Sequence, residues 1–178
     1  MKNLSIIKDS IRSIPDFPSA GIMFRDVTTL MKDSLAYKTS CYCMEKSARE
    51  FPEFDFLAGI ESRGFVFGSV IAEKMNKGLV LVRKPGKLPA EVLSMDYELE
   101  YGKDTVEVHV DAIKPGNRYL VVDDLLATGG TADASCRLIE KGGGIIVGCL
   151  FLVELPDLGG RKKLMHRKVE SIVQFEGE

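Results

Sequence analysis

Two stretches of this chain repeat one order: a short apolar run, a turn, a helical pattern and a second apolar run. In the first, "FDFLAGI" (54–60) leads into "ESRG" (61–64), "FVFGSVIAEKMNKG" (65–78) and "LVLVR" (79–83). In the second, "YLVVDD" (119–124) leads into a glycine turn, a helical pattern from Thr131 to Lys141, and "IIVGCLFLV" (145–153). Apolar runs this short read as buried strands, and strands separated by a helix form parallel βαβ units. Gly78 is expected to end the first helix and Gly142–Gly144 the second, whose inner face carries Ala132, Cys136 and Ile139. The expected fold is α/β, a mostly parallel central sheet flanked by helices.

The remaining segments are less regular. Leu4, Ile7 and Ile11 have helical spacing over residues 4–13, and Pro15 and Pro18 stop that helix. Residues 15–33 read as a loop-rich segment, and about 35–50 as a helix. Between the two units lies "KPGKLPAEVLSMDYELEYGKDTVEVHV", polar and proline-broken, then alternating like a hairpin around Tyr101-Gly102. A polar crossover with no helix of its own suits a lid or binding loop. "GRKKLMHRK" (160–168) reads as a solvated helix face.

A length of 178 residues suits one domain with a single core. The net charge of −2 argues against a duplex-binding surface or a polybasic membrane anchor. No run approaches the ~20 apolar residues of a membrane span, and the N-terminus lacks a signal-peptide core. Cys41, Cys43, Cys136 and Cys149 form no CxxC, and His109 and His166 lie far apart, so zinc spacing is absent. Reduced thiols in the cytoplasm are the expected state.

The chemistry concentrates in "VVDDLLATGGT" (121–131). Ligands of parallel sheets lie at the carboxyl ends of strands, where Asp123, Asp124 and the turn would fall. Turn amides and a helix N-terminus favour an anion, Thr128 and Thr131 add hydroxyl donors, and Gly129 and Gly130 permit close approach. The stretch lacks the lysine of GxxxxGK[ST], and it is not GxGxxG. Two carboxylates repel a bare polyphosphate but accept well from hydroxyls. A vicinal diol near a phosphate satisfies both halves, and a ribose 5-phosphate is such a molecule. The alternative is a tight βα turn whose aspartates cap the helix.

Those eleven residues resemble the phosphoribosyl pyrophosphate motif of the type I phosphoribosyltransferases. The resemblance extends over nearly the whole chain through "FPSAGIMFRDVT", "ESRGFVFG", "VRKPGKLP", "LEYGKD" and "LVEL", in the family's order, and is closest to the branch that acts on adenine. It implies one domain over 1–178, with an N-terminal hood (about 1–33) and a flexible lid hairpin (about 84–103). It also implies transfer of phosphoribosyl from phosphoribosyl pyrophosphate to N9 of adenine, giving AMP and pyrophosphate. Mg²⁺ would be held by the substrate, with no protein metal ligand, and the family is typically a cytoplasmic homodimer.

By the same resemblance, Asp123 and Asp124 hold the ribose diol, and Ala127, Thr128, Gly129, Gly130 and Thr131 hold the 5-phosphate. Ser62 and Arg63 form the pyrophosphate loop, with a cis peptide at Glu61–Ser62. Arg83, Lys84 and Lys87 help neutralise pyrophosphate, Arg83 across the dimer. Phe24 lies on one face of the base and Leu125 on the other, while backbone groups at Met23 and Arg25 read its edge. Ala20 and Thr29 stand where relatives often have proline. Glu100 faces the purine imidazole side and helps proton transfer, and Tyr101 lies near the reacting groups in the closed lid. Glu100, Arg63 and Lys84 are thus the expected catalytic residues. A related enzyme for another base, or a ligand-sensing regulator on the same fold, are the alternatives. The regulator would need a basic face that this chain lacks.

Overall fold

The computed structural model describes residues 2–99 and 102–177. Its centre is a five-stranded, all-parallel sheet in the order β4-β3-β7-β8-β9. The strands are β3 (Phe56–Ile60), β4 (Gly78–Val82), β7 (Arg118–Leu126), β8 (Ile145–Glu154) and β9 (Val169–Gln174). Both expected βαβ units are present, with α4 (Arg63–Met75) joining β3 to β4 and α5 (Gly130–Lys141) joining β7 to β8. Leu57, Leu120 and Val122 face one core, and Ala58, Tyr119 and Val121 the other. Strands covered on both faces must be apolar at every position, so these runs showed no alternation in the sequence.

One face carries α1 (Lys2–Asp9), α3 (Ser34–Ala48) and α4, and their Ile7, Met44, Phe67 and Ile71 are fully buried there. The other carries α5 and a hairpin of β5 (Val92–Leu99) and β6 (Gly102–His109). The hairpin lies where the polar crossover was expected. Tyr97, Val106 and Val108 line its inner face and bury against the sheet, so it covers the core as a crossover helix would.

Several boundaries differ from expectation. The first helix stops at Asp9, because Arg12–Ile14 (β1) pairs antiparallel with Phe24–Asp26 (β2). Within the loop-rich segment 15–33 lie β2 and a short helix, α2 (Thr28–Lys32). The first βαβ helix ends at Asn76, whose φ of 53° makes the left-handed turn, and Gly78 opens β4 instead. The basic segment 160–168 is only a four-residue helix, α6 (Gly160–Lys163), and two of its arginines are engaged. Arg167, 14% exposed, pairs with Asp133 and Glu140, and Arg161 binds Glu154 in a two-pronged contact at 2.6 and 2.8 Å. β9 had not been expected at all. Among the described residues no helix is long and apolar enough to cross a membrane.

Two buried carboxylates pin the ends of this framework. Asp26 accepts from the Thr28 hydroxyl and amide and from Arg12, which hold its pKa at about 2. Glu154, at the end of β8, accepts from Arg161, Ser171 and Gln174 and is also held at about 2, chiefly by Arg161. A depressed carboxyl stabilises the fold above its unfolded pKa, and that contribution is lost as pH falls to the folded value. Acid unfolding should therefore begin below about pH 4.5 and progress towards pH 2, the span between the ordinary and held values of Glu154. At pH 7, Glu154→Gln should cost about 2 kcal/mol, allowing for the half-exposed Arg161. Denaturant melts at pH 7 and pH 3 check this: the variant's deficit should shrink at the lower pH.

Candidate active site

The strand order reverses between β3 and β7. From β3 the chain moves outward to β4, and from β7 it moves the other way to β8 and β9. Crevices at the carboxyl ends of strands flanking such a reversal are where open α/β sheets bind ligands. Here those ends are Glu61–Arg63 after β3 and Asp123–Thr131 at the end of β7.

The α4 N-terminus presses on the end of β7. A Cβ at Gly64 would lie 2.7 Å from the Val122 carbonyl oxygen and 2.9 Å from Asp123 Oδ1, so only glycine allows this approach. The Glu61–Ser62 peptide is cis, as expected. From the first turn of α4, Arg63 places Nε 2.8 Å from Asp124 Oδ2. Its guanidinium also lies 5.7 Å from the centre of the Phe24 ring, whose other contact is the edge-on ring of Phe17 at 5.1 Å. One arginine thus bridges the N-terminal segment and the paired acids.

Asp124 is 3% exposed, and its Oδ2, despite the nearby Arg63 charge, receives no hydrogen bond of acceptable geometry. Asp123 Oδ1 accepts the Asp124 amide at 2.8 Å. Burial, then the Asp124 charge, pushes the Asp123 carboxyl well above the usual range. Burial also raises Asp124, but Arg63 restrains it. Neither aspartate caps α5: its N-cap is Gly129, with no side-chain cap. The helix-capping alternative therefore fails, and the buried Asp124 Oδ2 is met only by the ion pair with Arg63, with no well-aligned hydrogen bond, an arrangement proteins rarely keep outside functional sites.

Ala127–Thr131 enclose a cavity of about 100 Å³ with Asp123 and Leu125, a few water volumes in size. Gly129 has φ 76°, and a Cβ there would strike the Gly160 carbonyl oxygen at 2.6 Å. The loop's shape is thus fixed by its own backbone and by Gly160 behind it. Thr131 donates to the Tyr97 hydroxyl at 3.0 Å, joining the loop to the hairpin.

The expected cations on the 83–87 loop are placed but occupied. Arg83 contacts Glu61 at 3.2 Å and the Lys87 carbonyl at 3.0 Å, within its own chain. Burial works against the Glu61 carboxylate, but the Lys84 amide and Arg83 outweigh it and hold its pKa below the usual value. Lys84 pairs with Asp104 and Tyr97, and the Lys87 side chain is exposed. Met23 is half-buried, and Arg25 contacts Ser13 and stacks 4.5 Å over Phe175. Leu125 is partly buried against the core, and Ser62 and Thr128 are exposed. The Thr29 hydroxyl accepts the Arg12 amide and donates to the Ser10 carbonyl. Glu100 and Tyr101 lie outside the described residues.

Sequence reasoning missed Phe17, Tyr97 and Asp104. Tyr97 and Asp104 face each other across the hairpin register, and the alternation of 92–99 and 102–109 was the available signal. Phe17 had only its place in "FPSAGIMF" to mark it.

A parallel sheet with a glycine loop and paired acids at its reversal point is the arrangement expected of a phosphoribosyltransferase, and residues 43–176 match the family model described as "Phosphoribosyl transferase domain". The chain is 52% identical to an adenine phosphoribosyltransferase of Chlorobium phaeovibrioides, covering 97% of this chain and 99% of that one. Its fold matches the crystal structure of the Thermoanaerobacter pseudethanolicus adenine phosphoribosyltransferase with a TM-score of 0.90 at 50% identity, over 97% of this chain and 99% of that one. The Saccharomyces cerevisiae enzyme, solved with an imino-altritol bisphosphate and adenine, matches at 0.89 and 35% identity, over 97% and 99%. The chain belongs to the adenine phosphoribosyltransferase family.

Proposed function

We propose that this chain transfers the 5-phosphoribosyl group from phosphoribosyl pyrophosphate to N9 of adenine, releasing AMP and pyrophosphate. The observation that carries this reading is the buried Asp124 oxygen, ion-paired with Arg63 but without a well-aligned hydrogen bond, set beside the Ala127–Thr131 cavity. A ribose hydroxyl supplies the missing donor while its 5-phosphate lies on the loop amides at the α5 N-terminus. The same acids favour cationic character on the ribose ring as the C1 bond breaks. Ser62 amides, Arg63, Lys84 and Lys87 receive the leaving pyrophosphate, and Arg63 leaves Asp124 to do so.

Phe24 and Leu125 take the faces of adenine, and backbone groups at Met23 and Arg25 take its edge. Buried polar groups there penalise a 6-oxo base by leaving a partner unpaired. Glu100 assists the proton at the imidazole side, and Tyr101 closes over the reacting atoms. Residues 1–33 act as the hood, and 84–103 as a lid that excludes water.

Mg²⁺ enters with the substrate. The Asp124 carboxylate, once Arg63 moves away, suits ribose hydroxyls that an ion would also touch. When bound, the ion offsets charge on the leaving pyrophosphate. A homodimer is taken from the family resemblance, and four free thiols suit a cytoplasmic protein.

A panel of adenine, hypoxanthine, guanine and xanthine, each with phosphoribosyl pyrophosphate and Mg²⁺, tests the assignment. Adenine should exceed the 6-oxo bases in kcat/KM by roughly 10⁴-fold, the discrimination that unpaired buried polar groups give. Comparable rates with hypoxanthine would show that the base reading is wrong.

A further inference from the structure

The lysine assigned above to pyrophosphate already has a partner. Lys84 Nζ donates to the Tyr97 hydroxyl at 2.8 Å and forms an ion pair with Asp104. The same hydroxyl donates to Asp104 Oδ2 at 2.9 Å and accepts from Thr131 Oγ1 at 3.0 Å. A phenol offers one hydrogen and two lone pairs, and all three are used here. Tyr97 is 6% exposed and pairs with Asp104 across the β5–β6 register, so its hydroxyl and the carboxylate are held side by side on the hairpin. It sets a carboxylate within two hydrogen bonds of the phosphate loop and in direct contact with Lys84.

Burial works against the Lys84 ammonium, but Asp104 and Tyr97 more than offset it, and its pKa stands above the usual lysine value. Burial likewise works against the Asp104 carboxylate, and Lys84 chiefly holds it below its usual value. Both partners are charged at neutral pH. A carboxylate here repels an arriving phosphate and neutralises the cation meant to meet it.

We propose that Asp104 is an internal competitor for Lys84, setting the affinity for the anionic substrate because pyrophosphate must take the ammonium from it. This rests on the reading of Lys84 as a pyrophosphate ligand. Asp104 acts through Lys84 and is a positioning residue. Its removal should strengthen anion binding, where loss of a merely structural contact would weaken it.

Asp104→Asn keeps an acceptor for Tyr97 and Lys84 while removing the charge. At fixed Mg²⁺, calorimetry should show inorganic pyrophosphate binding roughly threefold to fivefold more tightly, the scale of a partly exposed ion pair. The KM for phosphoribosyl pyrophosphate should fall by a similar factor, with the KM for adenine unchanged. In a Lys84→Met background the same substitution should leave pyrophosphate affinity unchanged. Weaker or equal binding in the single variant overturns the proposal, and so does equal tightening without Lys84. Asp104→Ser replaces Asp104→Asn if the latter does not fold. Adenine-dependent AMP formation by the unaltered chain separately tests the proposed reaction, and the pyrophosphate cycle remains readable if that reaction fails.

Discussion

Asp124→Asn should lower kcat by about 10²–10³-fold, the loss seen when one aligned transition-state contact is removed, while its melting temperature stays level or rises. The two halves of this expectation come from one fact. Asp124 is buried, with an oxygen that receives no hydrogen bond, and burial raises its pKa. An acid raised on folding stabilises least when ionised: the native state binds more protons than the unfolded one above the ordinary value of 3.8. Stability attributable to it therefore falls as pH rises from there through the raised value. Asparagine removes that charge cost, partly countered by the loss of a partner for Arg63. Steady-state rates at saturating substrates and a thermal melt check both halves. Full activity would refute the anchoring role, and a large drop in melting temperature would mean that the carboxylate serves the fold.

Gly129→Val and Gly130→Ala, one residue apart, should have opposite consequences. Gly129 has φ 76°, and its Cβ would overlap the Gly160 carbonyl oxygen at 2.6 Å. A β-branched residue there should cost about 3 kcal/mol or more, a fall of roughly 6–12 °C in melting temperature for a chain this size. The Ala127–Thr131 cavity should be lost with it, and ribose 5-phosphate binding should become undetectable. Gly130 already lies in α5, and its Cβ would sit 3.4 Å from the Tyr97 ring, an ordinary contact. Alanine there should change stability by less than about 1 kcal/mol, with helix propensity in its favour. Equal destabilisation by the two would mean that backbone conformation does not define the loop.

The parts of this fold legible in the sequence are those set by local pattern. The runs at 56–60 and 118–126, the helices after them and the hairpin turn at 102 follow from length, periodicity and glycine placement. The glycine loop and the paired acids beside it were legible because they lie within eleven consecutive residues, 121–131. What escaped depends on distant partners. Arg12–Ile14 continues a helical spacing and becomes a strand only because Phe24–Asp26 pairs with it. Arg167 sits in a basic run and loses its solvated character only because Asp133 and Glu140 meet it, and the half-exposed Arg161 is tied down only because Glu154 meets it. Asp104 reads as a surface acid of a hairpin until Lys84, twenty residues away, reaches it.

The central claim is that one site reads both ends of one sugar phosphate, the diol at Asp123 and Asp124 and the 5-phosphate at Ala127–Thr131. Titration calorimetry of AMP, adenosine and 2′,3′-dideoxyadenosine 5′-monophosphate tests it most directly. Each truncated ligand should bind at least roughly tenfold more weakly than AMP, since each forfeits charge-assisted hydrogen bonds of about 1.5–3 kcal/mol. If the dideoxy nucleotide, or adenosine, binds as tightly as AMP, the acids or the loop do not hold what the geometry assigns to them.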